Sequence, residues 1–284
     1  MRCPLCGAGE TRLLRSAAGL ARDLAEALTD GRKLMHSNGA AVFTCDACGS
    51  VFRDPRTVPA DIVGSYRDDE YGEAELTRLR DRALTECAHD HAWLRAQGLA
   101  PGARVLEIGS YVGALLSHAR GNGCDAIGVD VGREVSAFAR ACGLDVETGA
   151  FDDGGFPAAS FDVVFVLNCF EQLPDPGTSL DQIRRVLRPG GRLVVRTPSA
   201  DFARRAHRPR LRRLAAANGI LGVPFLRCLS SGALDTILRD HGFKPRCIRG
   251  RLAGPSRAAS VSYAVTSPRR RCPYPWMDVA ATRA

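Results

Sequence analysis

The stretch Arg104-Val105-Leu106-Glu107-Ile108-Gly109-Ser110-Tyr111-Val112-Gly113-Ala114-Leu115-Leu116 limits the possible folds of this chain more than any other. A short apolar run containing an acid passes at once into glycines, the pattern of a strand, a tight turn and a helix start. Gly109 can take a positive φ or let a ligand approach the backbone closely. The amides that open the following helix face outward as unpaired donors. Taken alone, such a turn is either an ordinary strand-to-helix connection or a cofactor cradle, and the residues downstream have to decide.

Beyond it, strands alternate with helices, which predicts a mostly parallel, doubly wound α/β sheet. Ala126-Ile127-Gly128-Val129-Asp130 reads as a second strand ending in an acid, Arg133 to Cys142 as a helix, and Asp145 to Glu147 as a short third strand. The loop Gly149-Ala150-Phe151-Asp152-Asp153 follows. Phe161 to Leu167 is apolar throughout, as a mid-sheet strand should be, and the polar segment from Asn168 to Pro176 lies at its carboxyl end, where open α/β sheets bind ligands. Leu180 to Leu187 is helical, Pro189-Gly190-Gly191 turns, and Arg192 to Arg196 is a fifth strand. Ser230 to His241 is a further helix, and Phe243 to Ile248 with Ser260 to Thr266 is expected as a terminal antiparallel pair.

The other strong signal is at the start of the chain. Cys3-Pro4-Leu5-Cys6 and Cys45-Asp46-Ala47-Cys48 are each followed by glycine, at Gly7 and Gly49. Such knuckles aim four thiolates at one point and give Zn2+ a closed tetrahedral shell, so the metal would be structural. A redox pair and unliganded core cysteines are the alternatives. Between the knuckles, Ala17 to Leu28 has helical spacing and Ala40 to Thr44 reads as a strand, an insertion in the ribbon. The N-terminus lacks the apolar core of a secretory signal and no apolar run reaches the ~20 residues that span a bilayer. The eleven cysteines therefore predict a reducing, cytoplasmic setting and no membrane.

Tyr66 to Tyr71 begins a polar linker, and Ala74 to Ala96 is expected as one amphipathic helix on which His89 and His91 read as surface or packing residues. From Ala203 to Arg213 there are six arginines and His207, followed by an apolar, glycine-containing stretch to Phe225. A lid, an anion-binding edge and a solvated basic helix all suit it. The net charge of +8 permits a nucleic-acid partner without requiring one.

In order and spacing together, Val105-Leu106-Glu107-Ile108-Gly109 with Gly113, then Asp130, then Asn168 to Pro176, then Leu187-Arg188-Pro189-Gly190-Gly191 resemble the class I S-adenosylmethionine-dependent methyltransferases. The resemblance implies a Rossmann-like, doubly wound, mostly parallel seven-stranded sheet with a small N-terminal zinc-ribbon module. The cofactor would be S-adenosylmethionine, held by Glu107, Gly109, Gly113, Asp130, Asp152 and Asn168. A carboxylate at Asp130 can accept both ribose hydroxyls and Asp152 the adenine amino group. Two residues depart from the family pattern: Tyr111 stands where glycine is frequent, and Gln172 where histidine is frequent. Gln172 cannot take a proton at neutral pH, which leaves Glu171, His207, His241 and Tyr71 as candidate catalytic groups.

The chain divides by this reading into a zinc-ribbon-like module at 1–58, a linker and helix at 59–100, a methyltransferase domain at 101–267 with an insertion or lid at 203–228, and a basic tail at 268–284. The expected reaction is methyl transfer to an O or N centre, in preference to C, of a small molecule such as a sugar or secondary metabolite. An RNA methyltransferase and a non-catalytic S-adenosylmethionine-binding partner protein are the alternatives. The former is disfavoured because the end of the fourth strand lacks the Asn-Pro-Pro-aromatic motif of adenine N6 enzymes, and because Cys169 lacks the preceding proline of cytosine C5 enzymes.

Overall fold

The computed structural model describes residues 1–27, 40–68, 70–153, 155–206, 208–217, 226–252 and 272–284. They fall into two compact units that do not follow chain order: Met1–Val58 with Thr197–Ile237 and Cys247–Asp278, and Pro59–Arg196 with Leu238–Arg246 and Val279–Ala284.

The second unit is built on the predicted α/β rhythm. Strand β4 (Arg104–Ile108) leads to α5 (Ala114–Gly121), β5 (Asp125–Asp130) to α6 (Arg133–Ala141) and β6 (Asp145–Thr148), and β7 (Phe161–Leu167) to α7 (Pro176–Val186) and β8 (Leu187–Pro198). Together with β10 (Phe243–Arg251) and β11 (Trp276–Arg283) they form a seven-stranded sheet in the order β10-β11-β8-β7-β4-β5-β6. The pairs β4·β5, β4·β7, β5·β6 and β7·β8 are all parallel. This is the Rossmann-like sheet expected from the sequence. β4 sits between β5 and β7, where the strand order reverses, and ligands of such sheets bind at that switch point. Val105, Val163, Phe165 and Val194 from the sheet pack with Leu94, Leu115 and Leu116 in one buried cluster. Each such side chain contributes roughly 1.5–3 kcal/mol by leaving water.

Several boundaries differ from expectation for local reasons. α7 begins at Pro176, four residues early, because Asp175 caps it by accepting from the amides of Gly177 and Thr178 and proline suits the first helical position. Pro189-Gly190-Gly191 is absorbed into β8 as an irregularity, with Phe161 opposite Leu187 but Val163 already opposite Arg192. The single helix expected over 74–96 is two, α3 (Glu73–His89) and α4 (His91–Ala96), broken at Asp90.

Residues 276–283 were expected within a basic tail and instead form β11, between β10 and β8. The buried Asp278 hid this strand, and its charge is met by Arg249 of β10 at 3.8 Å. The segment 260–266, expected to pair with 243–248, lies outside the described residues.

In the first unit, β1 (Thr11–Arg15), β2 (Val42–Cys45), β3 (Val51–Arg53) and the short β9 (Arg227–Cys228) form an antiparallel sheet in that order. Its core joins Leu20 of α1 (Ala17–Ala27), Val42 and Val51 to Ala200, Phe202, Ala203 and Ala206 of α8 (Ala200–Ala206), Ala215 of α9 (Pro209–Ala217), and Cys228. The cysteine ribbon and the segment following β8 thus share one core.

Candidate functional site

The loop from Gly109 to Gly113 is held by its backbone. Gly109, Tyr111 and Gly113 have φ of 73°, 48° and 70°, so the turn passes through the left-handed region three times. At Gly109 a Cβ would lie 2.8 Å from both Cβ and Sγ of Cys169, and only glycine allows this approach to the end of β7. Tyr111 keeps the left-handed backbone that a glycine there would supply. Its ring packs among Leu76, Val112, Val135 and Phe138, edge-on to Tyr71 at 5.9 Å, which accounts for the tolerated substitution.

Asp130, at the end of β5, ties this loop down. Oδ2 accepts from the Tyr111 amide at 2.7 Å and Oδ1 from the Gly132 amide at 2.8 Å. Burial raises its pKa and the two amides oppose the rise. Two accepted bonds leave the carboxylate further lone pairs for a ligand's hydroxyls. Glu107 on β4 is 5% exposed, and its Oε2 has no hydrogen-bond partner. Burial first, and the charge of Asp130 second, push its pKa well above the usual carboxylate range, while Arg196 pulls it back. Buried hydroxyl and amide oxygens at Ser110 Oγ and Gln172 Oε1 likewise lack partners. The amides of Gly109, Ser110, Tyr111 and Gly113 are bonded within the protein, to Val129 O, Asp130 and Ser110 O, so what the loop offers a ligand is close backbone approach. With it, two desolvated acids and unfilled polar atoms fit a ligand that carries both hydroxyls and positive charge.

The carboxyl end of β7 closes the same neighbourhood. Asn168 adopts φ 58° and its amide bonds the Arg196 carbonyl at 2.9 Å. Burial, then Asp130, Glu171 and Glu107, raise the Cys169 pKa, so this thiol stays protonated. Glu171 is fully buried in the 3-10 turn Phe170–Gln172. The structure therefore brings Glu107, Gly109, Asp130, Cys169 and Glu171 together, and Arg196 joins them. Sequence reading passed over Arg196 as an ordinary strand residue, although an arginine closing a buried strand was a signal.

The other expected residues stand in different settings. Asp152 accepts from Ser179 Oγ of α7 at 3.0 Å, and burial, the largest effect, raises its pKa. His241 Nδ1 meets Asp181 of α7 at 2.8 Å. The Tyr71 amide bonds Glu134 at 2.7 Å. His89, exposed, bonds the Thr85 carbonyl of its own helix, and His91 packs against His118 at 3.1 Å. His207 lies outside the described residues.

The four cysteines meet in the first unit. The two knuckles are built alike: Cys3 N bonds Ala8 O and Cys45 N bonds Ser50 O, while Gly7 and Gly49, both at φ 72°, donate back to Cys3 O and Cys45 O. All four Sγ atoms lie within 4.8 Å of one another, with Cys3–Cys48 at 3.8 Å and Cys6–Cys45 at 3.7 Å. Tetrahedral Zn2+ with sulfur ligands at ~2.3 Å needs sulfurs about 3.8 Å apart, so the donor set fits that ion. The Cys48 thiolate is already favoured, chiefly by the Cys3 thiol.

Comparison with known proteins gives a consistent picture. The family model described as "Methyltransferase domain" matches residues 69–248. The chain is 31% identical to O-methyltransferase resE of Aspergillus sclerotiorum over 69% of its own length and 75% of that protein. It is 33% identical to the ubiquinone biosynthesis O-methyltransferase of Xylella fastidiosa (strain 9a5c), over 36% of its length, and spans less than half (44%) of that relative. Among solved structures, an S-adenosylmethionine-dependent methyltransferase from Aquifex aeolicus matches with a TM-score of 0.51 at 18% identity, covering 76% of this chain and all of that one. One from Mesorhizobium loti matches at 0.51 and 19%, covering 70% of this chain and all of that one. These two likenesses concern the fold.

Proposed function

Since this chain belongs to the methyltransferase-domain family and is an S-adenosylmethionine-dependent methyltransferase, we propose that its acceptor is an O or N centre of a small molecule, such as a sugar or secondary metabolite. The observation that carries the reading is the similarity to O-methyltransferase resE along most of both chains. The bound cofactor supplies an electrophilic methyl group on a sulfonium. The chain's own residues then have three tasks: to hold the donor, to align the acceptor and to exclude water.

For the first task, the two lone-pair-bearing oxygens of Asp130 suit ribose hydroxyls, and the glycines of the Gly109–Gly113 loop let the cofactor approach the backbone closely. Glu107, buried beside them, suits the cationic amino end, and Gly113 keeps the loop turning into α5. We assign Asp152 to the adenine and Asn168 to the methionine portion, the latter supported by its place at the carboxyl end of β7, beside the switch point of the sheet. A proton acceptor is required only if the acceptor atom arrives protonated. His241, supported by Asp181, and Glu171, buried beside Cys169, are chemically able to serve, with Tyr71 next. A structural Zn2+ on Cys3, Cys6, Cys45 and Cys48 completes the assignment.

The reading is tested by incubating the protein with methyl-labelled S-adenosylmethionine and, separately, a panel of phenols, sugars and amines or total cellular RNA. Label in a small molecule is expected. Label confined to RNA would overturn the assignment of the acceptor.

A further inference from the structure

Glu107 and Arg196 stand two strands apart on one face of the sheet. Glu107 lies beside Phe165, Phe165 beside Val194, and Arg196 is two residues beyond Val194, so all four side chains project the same way. This is the face covered by α3 and α4, whose Leu94, Cys87 and Trp93 pack against Val105, Phe165 and Val194. At Gly128, beside Glu107 on β5, a Cβ would lie 2.6 Å from Ser110 of the loop and 2.7 Å from Leu116, so the loop packs down on this strand only because the residue is glycine. Arg196 is buried, and its guanidinium donates to Asp90 Oδ2 at 2.9 Å. Asp90 is itself buried, at the break between α3 and α4.

We infer that Arg196 is a positioning residue for the cofactor: anchored by Asp90, it holds a fixed cationic charge on the same face of the sheet as Glu107 and so supports that carboxylate in facing a cationic ligand. The inference rests on the reading that Glu107 faces the cationic end of S-adenosylmethionine. Glu107 interacts with Asp130 on β5, Arg196 on β8, Cys169 after β7 and Cys87 of α3, while Glu171 lies near Cys169, and Asp90 and Glu86 near Cys87. All but Arg196 are acids or thiols, which oppose ionisation of Glu107 when charged. Burial pushes even the Cys87 thiol up to about 12, with Glu107 adding to the rise and Arg196 opposing it. Asp90, at the break between α3 and α4, is the residue that meets the guanidinium.

Affinity for S-adenosylmethionine should rise with pH while Glu107 is still losing its proton and level off once it is ionised. Binding below that inflection should release a proton, read by calorimetry in two buffers of different ionisation enthalpy. In Arg196→Met the inflection moves upward by about one pH unit and binding below it weakens about tenfold. Arg196→Lys restores most of both. Arg196→Gln, which keeps a hydrogen bond to Asp90, repeats the shift of Arg196→Met and serves if the latter does not fold. In Glu107→Gln, binding loses its pH inflection whatever stands at 196. Arginine variants that bind as the wild type, or that weaken binding equally at every pH, would overturn the positioning role. Failure of the wild type to bind at any pH would instead remove the cofactor reading itself.

Discussion

At the scale of single residues, the site is defined by what cannot be changed cheaply. A methyl group at Gly109 meets Cys169 at 2.8 Å and must also accept φ 73°. Gly109→Ala is expected to cost about 1–3 kcal/mol in backbone strain alone and to abolish cofactor binding by calorimetry. Adding Cys169→Gly should recover stability in part, because it removes the clash and leaves the strain. Equal melting points for the single and double variants would contradict this.

Glu107 shows the opposite trade. Its folded pKa lies above the unfolded value, so between the two the folded protein holds the extra proton and stability falls as pH rises, until Glu107 ionises in the folded state as well. Glu107→Gln should therefore raise the unfolding free energy of the cofactor-free protein at pH 7 by about 1 kcal/mol or more, and flatten its dependence on pH above ~4.5. Denaturant melts across pH check this, and a variant less stable than wild type at pH 7 contradicts it.

At the scale of elements, the apolar runs of β4, β5 and β7 were legible because a buried parallel strand leaves little sequence freedom, and both cysteine knuckles were legible because spacing and glycine recur together. Other features depended on distant partners. Tyr111 takes a left-handed backbone that its residue type argues against and Asn168 one that asparagine accepts readily, and each is fixed by neighbours from another element. Asp90 breaks a helix whose apolar spacing runs on through it, because its partner Arg196 lies 106 positions later. β11 was hidden by the charge of Asp278, which Arg249 of the neighbouring strand helps to balance. For the ribbon, we expect about one zinc per chain by metal analysis, falling to near zero in Cys45→Ser, with loss of hydrogen-exchange protection in β2 and β3. A metal-free wild type with those strands still protected would contradict the zinc assignment.

At the scale of the molecule, the chain is not a string of modules. The ribbon's strand β3 pairs with Arg227–Cys228, and its core is completed by α8 and α9. A chain starting at Pro59 should thus lose the pairing partner of β9 and expose Phe202, Ala203 and Ala206, melting well below the full protein or failing to stay in solution. A truncation that melts with the full chain would show the ribbon to be separable. The arrangement also explains why the arginines after β8 could not be given a role from sequence: their helices α8 and α9 pack into the ribbon's core.

The central claim is that the loop from Gly109 to Gly113, with Asp130, holds S-adenosylmethionine. Isothermal calorimetry of the full chain with S-adenosylmethionine tests it most directly. We predict one site per chain, with affinity lowered at least about tenfold, or ~1.4 kcal/mol, in Asp130→Ala. No binding by the wild type at about millimolar cofactor, or undiminished affinity in Asp130→Ala, would contradict it.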